Sequence, residues 1–441
     1  MSTRRNVIIT ISIILLCMLL VTQLVGDPGP SSSAREVALQ MSGSDSPDSG
    51  DALQEQILLT AIVHLSDDDF RELEAMNAEY QEKRPAIHVD IANYTPEDAY
   101  SYLREHARIG DNPDIMLLDY IWVNEFAAAG YLSHQLESYI KVKNGNLDQF
   151  LHWNNYVWAD PYQSDPYIAV VNERVLKDET TGLIPGSLEE WTAYQQRRMA
   201  EEAEADEPAD GREQPAADEE EGVQPAAGSA ADGIIYVSPD DPYAFISLTW
   251  MLGEQWERTG NGMYRIAGDG DSLMRQLFGN EARQDGEGED ASSKTEPTDP
   301  LLYRQNLTVD QMWERFDAGL LPVLIMRQSE LHIRRPRMIE YRYSLVQSDQ
   351  ERRGGWVHGT SFAVSATSRH AEEAFQWIDA MTSGMRRADP ANVIGQSFQS
   401  DPELTKKLEV IGTHIRNVFE EAETADGWNQ RLLDSWDQRA R

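Results

Sequence analysis

The fold of this chain is decided by one stretch of twenty residues, Pro113-Asp-Ile-Met-Leu-Leu-Asp-Tyr-Ile-Trp-Val-Asn-Glu-Phe-Ala-Ala-Ala-Gly-Tyr-Leu132. Its short apolar run, Ile115 to Leu118, is typical of a strand that is buried on both faces. After this run the pattern becomes helical and ends at Gly130. A buried strand that leads directly into a helix predicts an α/β fold.

Three residues at the end of this strand suggest a binding site. Ligands of open α/β sheets bind at the carboxyl ends of the strands, which is where Asp119, Tyr120 and Trp122 lie. A carboxylate accepts hydrogen bonds from paired sugar hydroxyls, and aromatic rings pack against the apolar C–H faces of a sugar. The alternative is an ordinary turn, in which Asp119 caps the helix and the two aromatics pack beneath it.

Other parts of the chain are similar, in the same order, to the extracellular solute-binding proteins of family 1, the sugar-binding components of ATP-binding-cassette importers. The similarity covers roughly residues 57–385. Besides the opening stretch, it rests on Thr60–Leu65 as a first strand, a helix over Asp67–Lys83, a second strand at Ile87–Ile91, a crossover at Asp160–Asn172, Gly186–Trp191, Ser238–Trp256, Phe316–Met326, and Trp356–Ser383 with a strand at Thr360–Ser365.

The resemblance implies a two-lobed α/β fold of the periplasmic-binding-protein type, with a hinge and a central ligand cleft. We expect lobe 1 to comprise residues 52–163 and 356–388, and lobe 2 to comprise residues 164–355 and 389–441. The implied function is to bind a carbohydrate, an oligosaccharide by the number of aromatics, and to deliver it to the permease subunits of an importer. The cleft would close on the ligand without any chemical reaction or cofactor, and the protein would be a monomer.

The resemblance and the strand ends add further candidate ligand residues in the first part of the chain. His64 lies just beyond the first strand and would face the ligand, or else cap the helix that starts near Ser66. Trp158 and Tyr162 flank the first crossover, in a segment with more polar aromatics than a core requires.

Four more candidates lie in the second part. Ser329 and Glu330 follow the buried strand Val323–Met326, at a loop where the family places ligand donors. Trp356 follows two glycines at the second crossover and would stack on the ligand. Trp250 lies in an apolar helix, so a place in the core is the alternative for it.

Composition agrees with a two-domain binding protein. The chain has 441 residues, is 41% hydrophobic and contains 11 Trp and 17 Tyr. Its net charge of −37 argues against nucleic acid and anionic membrane surfaces as partners. Much of the acidity falls in residues 200–232 and 279–300, which are poor in apolar residues. We interpret both as disordered acidic inserts. An acidic surface that faces the wall or attracts calcium is the alternative.

The N-terminus indicates the compartment. Arg4 and Arg5 precede an apolar run from Val7 to Val25, and residues 27–51 resemble a flexible linker. The basic flank belongs inside, so the body of the protein would lie on the extracellular face of the cell membrane. An uncleaved anchor is preferred, and a signal peptide cleaved near Ala34 is the alternative. The single cysteine, Cys17, follows Leu16 instead of the small residue that lipidation requires.

The sequence contains no recognisable catalytic or metal motif. The nine histidines are never closer than twelve residues apart, and no phosphate-binding loop or nucleophile elbow is found. We therefore expect a protein that is not an enzyme and holds no metal. Two alternatives remain: an anchored extracellular carbohydrate-active enzyme with a pair of carboxylates, and a ligand-sensing partner of a membrane kinase.

Overall fold

The computed structural model describes residues 56–136, 138, 147–172, 185, 187–206, 232–279, 299–333, 341–344, 347–348, 351–352, 355–383, 398–421 and 423–439. The strands are β1 (Ile57–Val63), β2 (Ile87–Asn93), β3 (Ile115–Asp119), β4 (Leu132–Ser133), β5 (His152–Trp153), β6 (Tyr156–Val157), β7 (Asp160–Asn172), β8 (Ile235–Tyr236), β9 (Trp256–Arg258), β10 (Tyr264–Ile266), β11 (Val323–Arg327), β12 (Tyr341–Ser344), β13 (Gln347–Ser348), β14 (Glu351–Arg352) and β15 (Val357–Ser365). The helices are α1 (Asp67–Lys83), α2 (Pro96–Ile109), α3 (Tyr120–Ala128), α4 (Asp148–Leu151), α5 (Leu188–Asp206), α6 (Pro242–Met251), α7 (Gly270–Phe278), α8 (Val309–Asp317), α9 (Gln328–Ile333), α10 (Ala371–Ser383), α11 (Leu404–Phe419) and α12 (Trp428–Arg439).

The main sheet consists of two parts joined through a long strand. Its order is β2-β1-β3-β15-β7-β11-β8, with β12 also paired to β7 and β4 to β15. We call β2-β1-β3-β15 the first sub-sheet and β7-β11-β8 the second. The strands β1, β2 and β3 run parallel, whereas β15 is antiparallel to β3 and β7 is antiparallel to both β15 and β11. Because β7 pairs with β15 along its first half and with β11 along its second, it connects the two sub-sheets.

Capping residues in the sequence determine where the first two helices begin and end. Ser66 accepts a hydrogen bond from the backbone N–H of Asp69 and so caps α1, and Thr95 caps α2 in the same way. Gly110 ends α2 with a φ of 77°, a left-handed conformation that glycine adopts without strain. The helix predicted over Asp67–Lys83 is therefore confirmed with both of its ends.

The hydrophobic core consists of three clusters of buried residues. One cluster packs β1, β3 and β15 against α1 and α10, with Trp377 and Phe362 at its centre. A second packs β7 and β11 against α8, around Trp313 and Phe316. The largest cluster extends from α3 through α6 to α11 and α12, so it covers the other face of both sub-sheets.

The sequence predicted the strand positions well, with small shifts of their ends. The first strand begins at Ile57, three residues before the predicted start, and β2, β3, β11 and β15 cover the predicted segments. One boundary was wrong: α5 continues to Asp206, so the predicted insert 200–232 begins too early. Its alanines and glutamates are strong helix formers, which explains the longer helix.

The predicted N-terminal anchor over Val7–Val25 lies outside the described residues. Within the ranges that the structure describes, no helix is long and apolar enough to cross a membrane. The rest of the acidic inserts, residues 207–231 and 280–298, also lies outside the described part.

Candidate functional site

Three polar side chains meet at one edge of the first sub-sheet. His64 follows β1 directly, and Asp119 is the last residue of β3, so both stand at carboxyl ends of neighbouring parallel strands. Asp119 is also the register partner of Thr360 in β15, and His358 lies two residues before Thr360 on the same strand. The antiparallel return of β15 therefore brings His358 to the edge at which the two parallel strands end.

The carboxylate of Asp119 lies between two imidazoles. Its Oδ1 atom is 3.9 Å from the Nε2 atom of His64 and 3.9 Å from the Nε2 atom of His358. The side chain of Asp119 is 13% exposed and that of His358 is 26% exposed, so both remain open to a ligand. In the described part of the chain, no group of His, Cys, Asp or Glu side chains is arranged to hold a metal ion.

Asp119 occupies the N-cap position of α3 but does not act as a cap. Its side chain makes no capping hydrogen bond, and no other hydrogen bond to it is found among the described residues. A carboxylate that is largely shielded from water and makes no hydrogen bond leaves its acceptor capacity unused. The capping role considered from the sequence is therefore not observed, and the carboxylate is free to accept hydrogen bonds from a bound molecule.

His64 is a buried neighbour of Asp119. Burial lowers the pKa of His64 below its usual value, and the charge of Asp119 opposes this effect only in part. Its Nε2 atom is buried and has no hydrogen-bond partner in the described structure. Ser66 caps α1, so His64 does not have that role. Burial therefore favours the neutral imidazole, whose Nε2 atom lies 3.9 Å from the carboxylate.

Tyr243 adds an aromatic ring to the candidate site. It lies in the first turn of α6, a helix that packs on β7 and β11 of the second sub-sheet. Asp241 caps this helix by accepting hydrogen bonds from two backbone N–H groups, and it also accepts a hydrogen bond of 2.7 Å from the hydroxyl of Tyr167. The ring of Tyr243 lies 6.0 Å from that of His358 and 5.2 Å from that of Trp356. Burial, followed by the charge of Asp119, raises the pKa of Tyr243, so its hydroxyl remains a donor.

An aromatic wall continues from His64 along the first sub-sheet. The ring of Trp122 lies 5.2 Å from that of His64 and 5.0 Å from that of Tyr100. The Tyr100 hydroxyl donates to Glu125 at 3.1 Å, and burial, followed by that carboxylate, raises its pKa to about 12. Trp122 is mostly buried between its neighbours, so its part in a site would be to support the surface beside Asp119.

Four of the predicted site residues lie in the hydrophobic core. Tyr120 is buried and its hydroxyl is 2.8 Å from that of Ser164. Tyr162 packs edge-on against Phe362. The rings of Trp250 and Trp356 are nearly parallel at 5.8 Å, and Trp356 has no exposed surface. Since a ligand cannot reach these four side chains in this conformation, we leave them out of the proposed site.

Trp158, Ser329 and Glu330 are placed at other positions. The indole N–H of Trp158 donates to the backbone carbonyl of Trp153 at 2.8 Å. Ser329 donates to Asp165 at 2.6 Å, and Glu330 accepts from Arg327 at 2.8 Å. These side chains are engaged with partners of their own, and the structure brings none of the three into contact with Asp119.

His358, Tyr243 and Tyr100 were missed as site residues by the sequence reasoning. For His358 the signal is its place two residues before a register partner of Asp119, which requires knowledge of the strand pairing. Tyr243 could have been found from the Asp241-Pro242 pair, because an N-cap followed by proline predicts a helix start at a sheet edge.

No protein-family model matches the sequence, and no curated protein matches it. Solved structures do match its fold. The sugar-binding protein MalE from Xanthomonas citri is 14% identical with a TM-score of 0.59, over 87% of this chain and 96% of that one. The maltodextrin-binding domain of MalE from Bdellovibrio bacteriovorus, bound to maltotriose, is 10% identical with a TM-score of 0.57, over 87% and 100%.

A third similar structure is the galacto-N-biose- and lacto-N-biose I-binding protein of an ATP-binding-cassette transporter from Bifidobacterium longum. It is 14% identical with a TM-score of 0.56, over 87% of this chain and 96% of that one. At these identities the likeness concerns the fold alone. The described chain thus has the two-lobed α/β fold of these binding proteins.

Proposed function

We propose that this protein is a solute-binding protein that binds a carbohydrate outside the cytoplasm and delivers it to the permease subunits of an ATP-binding-cassette importer. The observation that carries the proposal is the carboxylate of Asp119, which makes no hydrogen bond among the described residues and lies at the carboxyl edge of the sheet. The solved proteins of this fold named above are sugar-binding proteins, which favours sugar hydroxyls as its partners.

The charges around the cleft favour an uncharged ligand. Three arginines of the described chain are paired with carboxylates: Arg104 with Glu125 at 3.6 Å, Arg327 with Glu330 at 2.8 Å and Arg416 with Asp240 at 2.8 Å. An anionic ligand would have to break such a pair to gain a cation, and it would also approach Asp119. A neutral polyol can donate to the carboxylate and pack a C–H face on Tyr243.

Closure of the cleft would complete these contacts. The strand β7 pairs with β15 of the first sub-sheet and with β11 of the second, and β7 and β15 approach closely, since a Cβ atom at Gly359 would lie 2.2 Å from the backbone oxygen of Gln163. A ligand that touches Asp119 on one side and Tyr243 on the other binds best when both sides are close, so it shifts the population toward the closed form.

The finer parts of the proposal rest on the sequence. We place lobe 1 at residues 52–163 and 356–388 and lobe 2 at 164–355 and 389–441. The apolar run Val7–Val25 after two arginines supports an N-terminal anchor on the extracellular face of the membrane. The protein would work as a monomer, without a cofactor and without catalysing a reaction.

A titration of the purified protein with sugars tests the proposal. Isothermal calorimetry would screen mono- and oligosaccharides, and NMR would examine each bound sugar after overnight incubation. We expect saturable binding of at least one neutral sugar, which is recovered unchanged. Conversion of the sugar into products would instead support the anchored carbohydrate-active enzyme, and binding of uronic acids in preference to neutral sugars would contradict the proposed site.

A further inference from the structure

The only cationic partners available to Asp119 are histidines. Among the described residues its carboxylate has ion-pair contacts with His64 and His358 alone, each with its Nε2 atom 3.9 Å from Oδ1. A lysine or an arginine carries its charge throughout the physiological range, but a histidine gains a charge only as the pH falls through about 6.5. The charge balance around this carboxylate therefore depends on the pH.

The two histidines differ in their access to water. The side chain of His64 is 3% exposed, and burial, which Asp119 opposes only in part, lowers its pKa, so it stays neutral to a lower pH than an ordinary histidine. The side chain of His358 is 26% exposed. Water offsets the cost of a charge on a group that it can reach. His358 is therefore the histidine of this site that can carry the positive charge.

Two other titratable groups face His358, and neither competes with Asp119 for a charged imidazole. Asp165, the register partner of His358 on β7, accepts hydrogen bonds from the backbone N–H of Ser329 at 2.9 Å and from its hydroxyl at 2.6 Å. Tyr243 of α6 stays neutral, because burial, followed by the charge of Asp119, raises its pKa. Asp119 is thus the carboxylate beside His358 that lacks hydrogen bonds.

The helices that pack on β15 add no charge close to His358. The ring of Tyr120 in α3 lies against Gly359, and burial raises its pKa, so its hydroxyl stays neutral. The helix α10 meets β15 where the ring of Trp377 is 5.4 Å from that of Phe362. That point is about 13 Å along the strand from His358. The acidic residues of α10 are Glu372, Glu373 and Asp379.

The gap between His358 and Asp119 can hold one ligand atom. At 3.9 Å the two groups do not form a hydrogen bond, since such bonds are about 2.7–3.2 Å long. The oxygen of a sugar hydroxyl between them can donate to the carboxylate and accept from the Nε2–H of a neutral imidazole. An imidazolium needs to move only about 1 Å to form a direct ion pair with the carboxylate.

We propose that His358 is a pH-dependent gate of the Asp119 site: when its imidazole is neutral the carboxylate binds the sugar, and when it is protonated the carboxylate pairs with His358 and the sugar is released. This inference rests on the proposed function and adds its regulation by pH. Because the ion pair must break before a hydroxyl can take its place, the proton and the sugar compete. Binding is therefore strongest at neutral pH and weaker in acid.

Calorimetric titration of the full chain at pH 7.5, 6.5 and 5.5 tests the gate. The probe is whichever of maltotriose, cellotriose, mannotriose, xylotriose and lacto-N-biose binds most tightly at pH 7.5. Each titration is repeated in two buffers with different heats of ionisation, which gives the number of protons released on binding. His358→Gln removes the titrating ring but keeps a donor, and Asp119→Asn removes the charge that attracts the imidazolium. The controls are His64→Gln and His88→Gln, the latter at an exposed histidine of β2.

We expect the affinity of the unchanged protein to fall about three- to tenfold from pH 7.5 to pH 5.5, a moderate factor because the ion pair is partly exposed and water screens it. Binding near pH 6.5 should release protons. In His358→Gln and Asp119→Asn the affinity, whatever its value at pH 7.5, should change less than about twofold over this range, without proton release. Both controls should keep the full pH dependence. If Asp119→Asn binds too weakly to be measured, His358→Gln decides.

Two results would overturn the gate and leave the proposed function intact. They are sugar binding with the same affinity at all three pH values, and a pH dependence that persists in His358→Gln. Loss of the pH dependence in His64→Gln alone would assign the proton to His64 and would also contradict the proposal. If the unchanged protein binds none of these sugars at pH 7.5, the proposed function fails and the gate fails with it.

Discussion

Replacing Trp356 with alanine should destabilise the ligand-free protein, because this side chain is a core residue at the second crossover. Its exposure is 0%, and the rings of Phe150, Tyr243 and Trp250 lie 5.2–5.8 Å from its own. These neighbours belong to different helices, α4 and α6, so they cannot easily collapse into the space left by the indole.

The size of the effect follows from two opposing terms. Truncation of a buried Trp costs about 3–5 kcal/mol, including the cavity. The Nε1 atom of Trp356 is buried without a hydrogen-bond partner in the described structure, and its removal returns about 1 kcal/mol of that cost. We expect a net loss of about 3 kcal/mol for Trp356→Ala. Trp356→Phe removes the same N–H but fewer carbons, so it should cost about 1 kcal/mol.

Guanidinium unfolding followed by circular dichroism measures this loss. With a slope of about 2–6 kcal/mol per molar, a loss of about 3 kcal/mol lowers the midpoint by about 0.5–1.5 M. Tyr156→Ala is the control, because Tyr156 is an aromatic residue with half of its surface exposed. An unchanged midpoint for Trp356→Ala, together with a tenfold weaker affinity for sugar, would refute the core assignment and return Trp356 to the ligand cleft.

Three further predictions concern the stability of the fold. His64→Gln should weaken the pH dependence of the melting temperature between pH 7 and pH 5. The pKa of His64 in the folded protein lies below the unfolded value of about 6.5, so the unfolded state binds more protons as the pH falls and the protein loses stability. Identical slopes of melting temperature against pH for both proteins would contradict this. Lys407→Met should cost about 1.5–3 kcal/mol in urea unfolding, because the equally buried carboxylate of Asp401 loses its partner at 2.6 Å and keeps Arg258 at 3.6 Å; the double change with Asp401→Asn should recover part of the loss. Gly359→Ala should lower the melting temperature, because its Cβ atom would lie 2.2 Å from a backbone oxygen, and a neutral effect would show that β7 and β15 are not held this closely.

The sequence could predict the parts of this fold that depend on local pattern. The apolar run Ile115–Leu118 marks a buried strand by itself, and Ser66 with three following acids marks the start of α1. Asp119 could be found as a site residue because a strand end in an α/β sheet is already a place where ligands bind. These signals extend over a few residues, and the structure preserves them.

The rest of the site depends on contacts between distant parts of the chain. His358 reaches Asp119 only because β15 pairs with β3, about 240 residues earlier in the sequence, and no local pattern encodes that register. The same limit explains Trp356: an aromatic after two glycines at a crossover has the same sequence pattern whether it stacks on a ligand or on Trp250. Burial of a large ring is decided by the neighbours that the fold supplies.

The proposed function depends on the carboxylate of Asp119 as a ligand for sugar hydroxyls, and calorimetry of Asp119→Asn measures this contribution. The amide keeps the shape of the side chain but loses the charge and one acceptor oxygen. Loss of hydrogen bonds to a charged group costs about 1.5–3 kcal/mol, so affinity for the sugar should fall about tenfold to a hundredfold. Asp68→Asn, at a carboxylate that is 87% exposed, is the control and should bind like the unchanged protein. The melting temperature without ligand should stay within a few degrees, because the carboxylate makes no hydrogen bond in the described structure. Unchanged affinity for the sugar in Asp119→Asn would show that this carboxylate does not bind the ligand.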